Sequence, residues 1–305
     1  VESLLVHQLG MTAPPRAVLS LALILGLMAV VRLGVQFIVK AMSVLVFPFV
    51  LTLMGLAFYL VPHWNGAIIT EAPALSDAFN GDFIKTLWLA IPVMVFSFNH
   101  SPIISSFAVD NKGRYGAGAE KKCGNILLGA HVMMVMTVMF FVFSCVLSLS
   151  PADLAAAKEQ NITILSYLAN HFDNAFIATA APLIAMVAIS KSFLGHYLGA
   201  KEGMNGLMAK ALREKGKQVD IKQLDKVTAV FMILTTWAVA TVNPSILGMI
   251  EDLGGPIIAM LLFLMPMYAI TKVPAMRKYA GNISNGFVTL IGLIAMSGII
   301  YKLIA

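Results

Sequence analysis

The stretch Phe96-Ser97-Phe98-Asn99-His100-Ser101-Pro102 interrupts an apolar segment that runs from residue 84 to residue 109. Pro102 has no amide hydrogen to donate, and its ring collides with the carbonyl four residues earlier, so a helix should break here. Unpaired backbone groups are costly in hydrocarbon, so these polar residues must face protein, water or a ligand. The stretch therefore predicts a broken helix with a binding site for a small zwitterion such as an amino acid. The alternative is a proline kink that only packs against neighbouring helices.

The composition indicates a membrane protein. Of the 305 residues, 59% are hydrophobic and 12% are charged, whereas soluble domains carry about 25% charged residues. One membrane span needs about 20 apolar residues, so the chain has room for about eight spans. The sequence therefore predicts an all-α polytopic protein, embedded in a lipid bilayer as a single transmembrane domain over residues 1–305.

Eight apolar segments are predicted spans, and the charges of their loops predict their orientation. The spans cover residues 17–35, 39–61, 84–109, 124–147, 175–198, 227–242, 256–270 and 287–301. Lysines and arginines gather in alternate loops, most strongly between residues 201 and 226, whereas the loop over 63–82 is acidic. Because basic loops stay in the cytoplasm, both the first residues and the C-terminus are expected outside.

Three connecting segments carry local structure of their own. Residues 149–173 predict an external loop with a short surface helix, because Ser150-Pro151-Ala152-Asp153 places proline in the first turn and an acid near the positive helix end. Residues 202–215 predict an amphipathic helix at the lipid surface. Residues 250–256 predict an outer turn, preceded by a short half-helix over 245–249.

Several classes of partner are not expected. Cysteine, histidine and carboxylate residues do not have the spacing of metal ligands, so the prediction is no metal and no cofactor. Cys123 and Cys145 fall near opposite ends of one predicted helix, about 33 Å apart, and cannot pair. The net charge of +6 lies in loops that set orientation, so nucleic acid is not an expected partner.

Three motifs resemble the hydroxy/aromatic amino acid permease family. They are Phe98-Asn99-His100-Ser101-Pro102-Ile103-Ile104-Ser105-Ser106-Phe107, Ser192-Phe193-Leu194-Gly195-His196-Tyr197 and Asn243-Pro244-Ser245-Ile246-Leu247-Gly248. The similarity covers essentially the whole chain, and the long stretch over 150–172 resembles the L-serine/proton symporter branch more than the threonine branch. The resemblance implies a monomeric carrier that imports L-serine with a proton across the bacterial inner membrane by alternating access.

The resemblance also implies a fold. Family members have eleven spans and belong to the amino acid, polyamine and organocation superfamily, whose five-plus-five inverted-repeat fold unwinds its first and sixth helices around the substrate. The eight predicted spans would be the fourth to the eleventh. We therefore expect an N-terminally truncated piece of a longer protein, with half of the substrate pocket outside it. An active and an inactive piece are both compatible with the sequence.

The substrate-binding candidates are Ser97, Phe98, Asn99 and Ser101. Hydroxyl and amide groups beside unwound backbone suit the ammonium, carboxylate and hydroxyl groups of serine. Phe98 is a candidate gate, although an aromatic ring at a helix break also packs simply against its neighbours.

The proton-coupling candidates are His100 and Lys191 with its neighbours Ser190 and Ser192. The unperturbed pKa of histidine lies near 6.5, but a histidine bonded to backbone at the kink is an equal alternative. A lysine inside a span is costly unless it pairs, faces a cavity or snorkels. In sodium-coupled superfamily members this helix borders the sodium site, so the resemblance implies that the Lys191 amine replaces that cation.

Other functions remain as alternatives. A permease for threonine or an aromatic amino acid differs from a serine permease only in substrate, and serine and threonine differ by one methyl group, worth about 1–3 kcal/mol. A channel is more remote, because the sequence has no repeated filter loop. An enzyme is not expected, because the sequence offers neither a His-Glu-x-x-His motif nor a nucleophile with its base.

Overall fold

The computed structural model describes residues 5–6, 10–71, 81–172 and 175–304, and over these residues the chain is helical with no strand. The helices are α1 (Arg16–Arg32), α2 (Val35–Leu60), α3 (Gly81–Ser97), α4 (Ile104–Tyr115), α5 (Ala119–Ser148), α6 (Pro151–Glu159), α7 (Ile164–His171), α8 (Ala175–Glu214), α9 (Ile221–Val242), α10 (Ile246–Lys272) and α11 (Ile283–Ile304). The prediction of an all-α chain is confirmed.

Within the described residues, five segments are long and apolar enough to cross a membrane. They are Gln36–His63, Ile104–Ser148, Phe176–Glu214, Ile221–Val242 and Ile246–Lys272. The remaining predicted spans fall on shorter helices, since α1 and α3 have 17 residues each and the apolar part of α11 covers Ile283–Gly298. The protein is therefore a multi-pass helical membrane protein.

The chain divides into two compact units. The first comprises Val1–Thr70 with Pro102–Asn243, and the second comprises Glu71–Ser101 with Pro244–Ala305. The first unit holds α1, α2 and α4 to α9, and the second holds α3, α10 and α11. The chain therefore passes from one unit to the other between Ser101 and Pro102, inside the predicted broken helix.

The core of the first unit lies where α2, α5 and α8 meet the two short helices α6 and α7. Its fully buried side chains include Leu56, Leu60, Leu149, Leu168 and Ile177. A second cluster joins α1, α8 and α9 around Ile24, Met28 and Tyr197. In the second unit α3 packs on α11, where the Trp88 indole donates to the Ile294 carbonyl at 3.1 Å and to the Ser297 hydroxyl at 3.0 Å.

The predicted external loop over 149–173 begins with the helix that its sequence indicates, and a second helix, α7, follows. Ser150 caps α6 reciprocally: its hydroxyl accepts from the Asp153 amide at 3.2 Å, and the Asp153 carboxylate accepts from the Ser150 amide at 2.9 Å. The Tyr167 hydroxyl of α7 donates to the same carboxylate at 2.8 Å. Asp153 therefore holds α6 and α7 together.

The predicted outer turn over 250–256 is wrong. Residues 250–254 form a widened π-helical turn inside α10, and a second π turn covers 260–264. Each π turn ends two residues before a proline, Pro256 and Pro266. A π turn shifts the hydrogen-bond register and accommodates a residue that has no amide hydrogen. The half-helix expected over 245–249 is accordingly the first turn of α10.

The amphipathic segment 202–215 does not form a separate surface helix. It continues the fifth span, and α8 runs for 40 residues from Ala175 to Glu214. Some helices extend a few residues beyond the predicted spans: α2 begins at Val35, before the predicted span over 39–61, and α9 begins at Ile221, before the predicted span over 227–242. Cys123 and Cys145 both lie in α5 and are free thiols.

Asp153→Asn should lower the melting temperature of the detergent-solubilised protein, because the Asp153 carboxylate forms half of the capping box of α6, and capping interactions contribute about 1 kcal/mol. Hydrogen bonds, chiefly from the Ser150 hydroxyl and against the opposing effect of burial, lower the pKa of Asp153 below its ordinary 3.8. The stabilisation by the Asp153 carboxylate is therefore present above pH 3.8, the ordinary pKa of the group. It is lost as the pH falls through the lowered pKa of the folded protein. We expect the two proteins to differ at pH 7 and to converge on acidification.

The control for this comparison is Glu159→Gln, which neutralises an exposed carboxylate of the same helix. A melting temperature of Asp153→Asn equal to that of Glu159→Gln at pH 7 would contradict the role given to Asp153.

Candidate functional site

The predicted helix break is confirmed. Helix α3 ends at Ser97, residues 98–100 are not helical, a single 3-10 turn covers Ser101–Ile103, and α4 begins at Ile104. The break thus occupies the residues that immediately precede Pro102. This matches the physical cause, since proline neither donates a backbone bond nor tolerates the carbonyl four residues earlier.

Part of the hydrogen bonding lost at the break is replaced locally. The Asn99 side-chain oxygen accepts from the Ser101 amide at 2.9 Å, and the Asn99 amide donates to the Phe96 carbonyl at 3.1 Å. The Ser97 hydroxyl donates back to the Val93 carbonyl at 2.8 Å. The backbone around the break is therefore held in a defined conformation rather than left open.

Some polar groups at the break remain available to a ligand. Ser97 is exposed, whereas Phe98, Asn99 and Ser101 are half-buried. Among the residues that the structure describes, the Asn99 side-chain NH2 and the Ser101 hydroxyl have no hydrogen-bond partner, and the Ser97 oxygen keeps its lone pairs. The C-terminal carbonyls of α3 carry partial negative charge, which attracts an ammonium group. The arrangement can therefore bind both ends of a small zwitterion.

His100 has the geometry of a histidine that bonds to backbone at the kink, which is the alternative to a role in proton coupling. Its Nδ1 lies 3.2 Å from the Phe98 carbonyl, so the ring bonds to backbone at the kink. A role for His100 in moving a proton stays a prediction.

Glycines of α10 let α3 approach closely just before the break. A Cβ added at Gly255 would lie 2.6 Å from the Pro92 Cβ, and one added at Gly254 would lie 3.1 Å from the Phe96 ring. Both distances are shorter than ordinary contacts, so a larger residue would push α3 away. The packing within the second unit therefore fixes the last turns of α3.

Helix α8 supplies a comparable contact to the residue that ends the break. A Cβ added at Gly199 would lie 2.8 Å from both the Cβ and the carbonyl oxygen of Pro102. Three residues further along each segment, the Ser105 hydroxyl donates to the Glu202 carboxylate at 3.0 Å. These two contacts place the start of α4 on one face of α8.

Lys191 lies in α8 with its amine against α2. The amine is 5.1 Å from the centroid of the Phe49 ring, a cation–π contact. Phe49 lies 14 residues after the first residue of α2 and 11 before the last, so the contact is about 16–21 Å from either end of that helix. The amine therefore lies beside the middle of α2.

The neighbours of Lys191 have different surroundings. Ser190 is half-buried and Ser192 is exposed. The Ser192 hydroxyl is 3.3 Å from Nδ1 of His196, which also lies 2.8 Å from the Ser192 carbonyl. Lys191 and its neighbours belong to the first unit, whereas Ser97 to Ser101 belong to the second. The structure thus divides the predicted site residues into two groups.

The structure adds residues that the sequence prediction missed. Gly199 is the middle of three glycines, Gly195, Gly199 and Gly203, spaced by four along α8, which is a recognised signal for close helix packing. Glu202 has no such signal, since its contact depends on how two distant segments align. Among the described residues, no group of three histidine, cysteine, aspartate or glutamate side chains could hold a metal ion.

Known proteins similar to this chain are named transporters. "Serine transporter SdaC" of Escherichia coli K12 is 68% identical over 99% of this chain and 71% of its own length, and that of Shigella flexneri is 67% identical over the same shares. "Threonine/serine transporter TdcC" of Edwardsiella piscicida is 45% identical over 97% of this chain and 71% of its own length. No family model matches, and no solved structure matches.

Gly199→Ala should destabilise the protein, because overpacking of a tight contact costs about 1–3 kcal/mol. The measurement is the melting temperature in detergent. Gly203→Ala is the matched control on the same helix, since a Cβ there meets nothing within 4 Å. We expect Gly203→Ala to keep or raise the melting temperature, and an equal response of the two variants would refute the contact.

Proposed function

The chain belongs to the serine transporter family, and from this premise we propose that it imports L-serine together with a proton across the bacterial inner membrane. The near full-length similarity to proteins named serine transporters supports the substrate. The described helices support a location in a membrane, since their lengths and composition are those of a multi-pass membrane protein. In this proposal the chain is a carrier and not an enzyme.

The observation that carries the proposal is the helix break at Ser97 to Pro102. We propose that the ammonium group of serine binds the partly negative end of α3 and that its carboxylate accepts from the Asn99 side-chain NH2. The Ser97 and Ser101 hydroxyls then bind the remaining polar atoms, and Phe98 closes over them. The groups left available at the break support these roles, since they include both donors and acceptors.

The proposed fold is part of a five-plus-five inverted repeat, with eight spans in this chain. The five membrane-length segments and the shorter helices α1, α3 and α11 support this count, and the break after α3 supports the place of α3 as the unwound helix of one repeat. We propose that the carrier is monomeric and that the basic segment between residues 201 and 226, which comprises the end of α8, the start of α9 and their connection, faces the cytoplasm.

Lys191 is the residue that we propose to carry the coupling proton. An uncompensated lysine at membrane depth is costly, and mid-span charges commonly serve ion or proton pathways. The position of its amine beside Phe49, in the middle of α2, supports this role over snorkelling to the surface. The Ser190 and Ser192 hydroxyls are proposed to accept hydrogen bonds from the amine during proton transfer. His100 is the second candidate for the residue that carries the proton.

Threonine is the second candidate substrate, because the relatives at 45% identity are named threonine/serine transporters. One methyl group in an apolar pocket changes binding by about 1–3 kcal/mol. Competition of labelled L-serine uptake by unlabelled threonine, tryptophan or tyrosine ranks these substrates directly.

The proposal is tested with full-length protein reconstituted in vesicles. We expect saturable L-serine uptake that follows an imposed proton gradient, collapses when an uncoupler is added and persists without sodium. A proton driven by 100 mV supplies about 2.3 kcal/mol. Sodium dependence with resistance to the uncoupler would contradict proton coupling, and a lack of saturable uptake would contradict serine transport.

Lys191→Met in the same assay tests the proton carrier. It should abolish accumulation driven by the proton gradient and keep serine exchange between the two sides, because exchange does not need net proton movement. Lys210→Met is the control, since Lys210 lies on the same helix with its side chain 76% exposed. Gradient-driven accumulation by Lys191→Met at the control level would exclude Lys191.

A further inference from the structure

The start of α4 lies along α8 through two contacts in register. Pro102 contacts Gly199, and Ser105 donates to Glu202 at 3.0 Å. Ser105 lies three residues after Pro102, and Glu202 lies three residues after Gly199. Residues three apart lie on the same face of a helix. A single face of α8 therefore receives the first turn of α4, directly after the break.

The adjacent face of α8 is bound to α9 by a separate polar network. The Lys201 amine pairs with the Asp225 carboxylate at 2.9 Å, and the Asn205 side chain donates to the same carboxylate at 2.6 Å. Thr228, which is fully buried, donates to Asn205 at 2.6 Å. This network holds α8 and α9 together without Glu202, so the Glu202 carboxylate serves the contact with α4.

Burial contributes little to the position of α4. None of its described residues is buried, and the side chains of Ser105 and Glu202 are exposed. Segments with few buried contacts open at low free energy. A single hydrogen bond therefore has a large share in fixing the first turn of this helix.

We propose that Glu202 is a positioning residue of the transport cycle, which holds the start of α4 on α8 through Ser105. The inference rests on the proposed function, because alternating access requires the segments beside the break to move. When α4 leaves α8, the Ser105–Glu202 bond breaks. The bond therefore contributes to the free-energy difference between two conformations of the carrier, and Glu202 acts without touching serine.

Kinetics of L-serine uptake by full-length protein in vesicles test the proposal. A net hydrogen bond changes an equilibrium by about 2- to 10-fold, so Glu202→Ala and Ser105→Ala should each change the apparent KM and the maximal rate within that range and in the same direction. The double variant should change them no further than either single variant. Glu202→Gln should stay near wild type, because its amide oxygen still accepts from the Ser105 hydroxyl.

The matched control is Glu214→Ala, which removes another carboxylate of α8, 67% exposed and in contact with Lys210. It should keep wild-type kinetics. Effects of Glu202→Ala and Ser105→Ala that are absent, opposite in direction or additive would overturn the proposal, as would an equal effect of Glu214→Ala.

Hydrogen exchange of the amides of residues 104–115 gives a readout that needs no substrate. We expect exchange about 2- to 10-fold faster in Glu202→Ala and Ser105→Ala than in wild type, since the opening free energy falls by the value of one bond. Ser105→Ala also covers the case in which Glu202→Ala misfolds. Unchanged exchange overturns the inference even if serine uptake is confirmed. Faster exchange in a protein that shows no serine uptake would support the Ser105–Glu202 contact and contradict only the proposed function.

Discussion

Backbone amides and carbonyls in hydrocarbon need hydrogen-bond partners. Because proline has no amide hydrogen and clashes with the preceding turn, the prolines of this chain set the positions at which regular helical hydrogen bonding is interrupted. Before Pro256 and Pro266 the helix widens by one π turn and continues. Before Pro102 the helix ends, and the Asn99 side chain with a 3-10 turn replaces part of the lost bonding. The break therefore follows from the same constraint as the π turns, but it leaves polar groups for another molecule.

Glycines make the break a fixed structure instead of a loose one. Gly254 and Gly255 let α10 pack tightly on the last turns of α3 in the second unit, and Gly199 lets α8 contact Pro102 in the first unit. Each side of the break thus has its own packing partner. For a carrier, such separate anchoring allows the two sides to be stabilised independently, and the Ser105–Glu202 bond adds to one of them.

The sequence was sufficient where the physical cause is local. Pro102 and the polar residues before it predicted the break, and Ser150 with Asp153 predicted the start of α6. Three features could not be predicted in this way. Gly-Gly-Pro at 254–256 is equally typical of a turn and of close helix packing, and the amphipathic period over 202–215 is the same for a surface helix and for a continued span. The Ser105–Glu202 bond joins residues 97 apart in the chain, so it depends on tertiary alignment.

The central claim is that serine binds at the break before Pro102, and the position of bound L-serine tests it most directly. An experimental structure of the full-length protein with saturating L-serine would show that position. The account predicts serine nitrogen and carboxylate atoms within about 2.7–3.2 Å of polar atoms of residues 97–101. Serine bound elsewhere, or a continuous helix through Pro102 with Ser97 and Ser101 facing lipid, would contradict it.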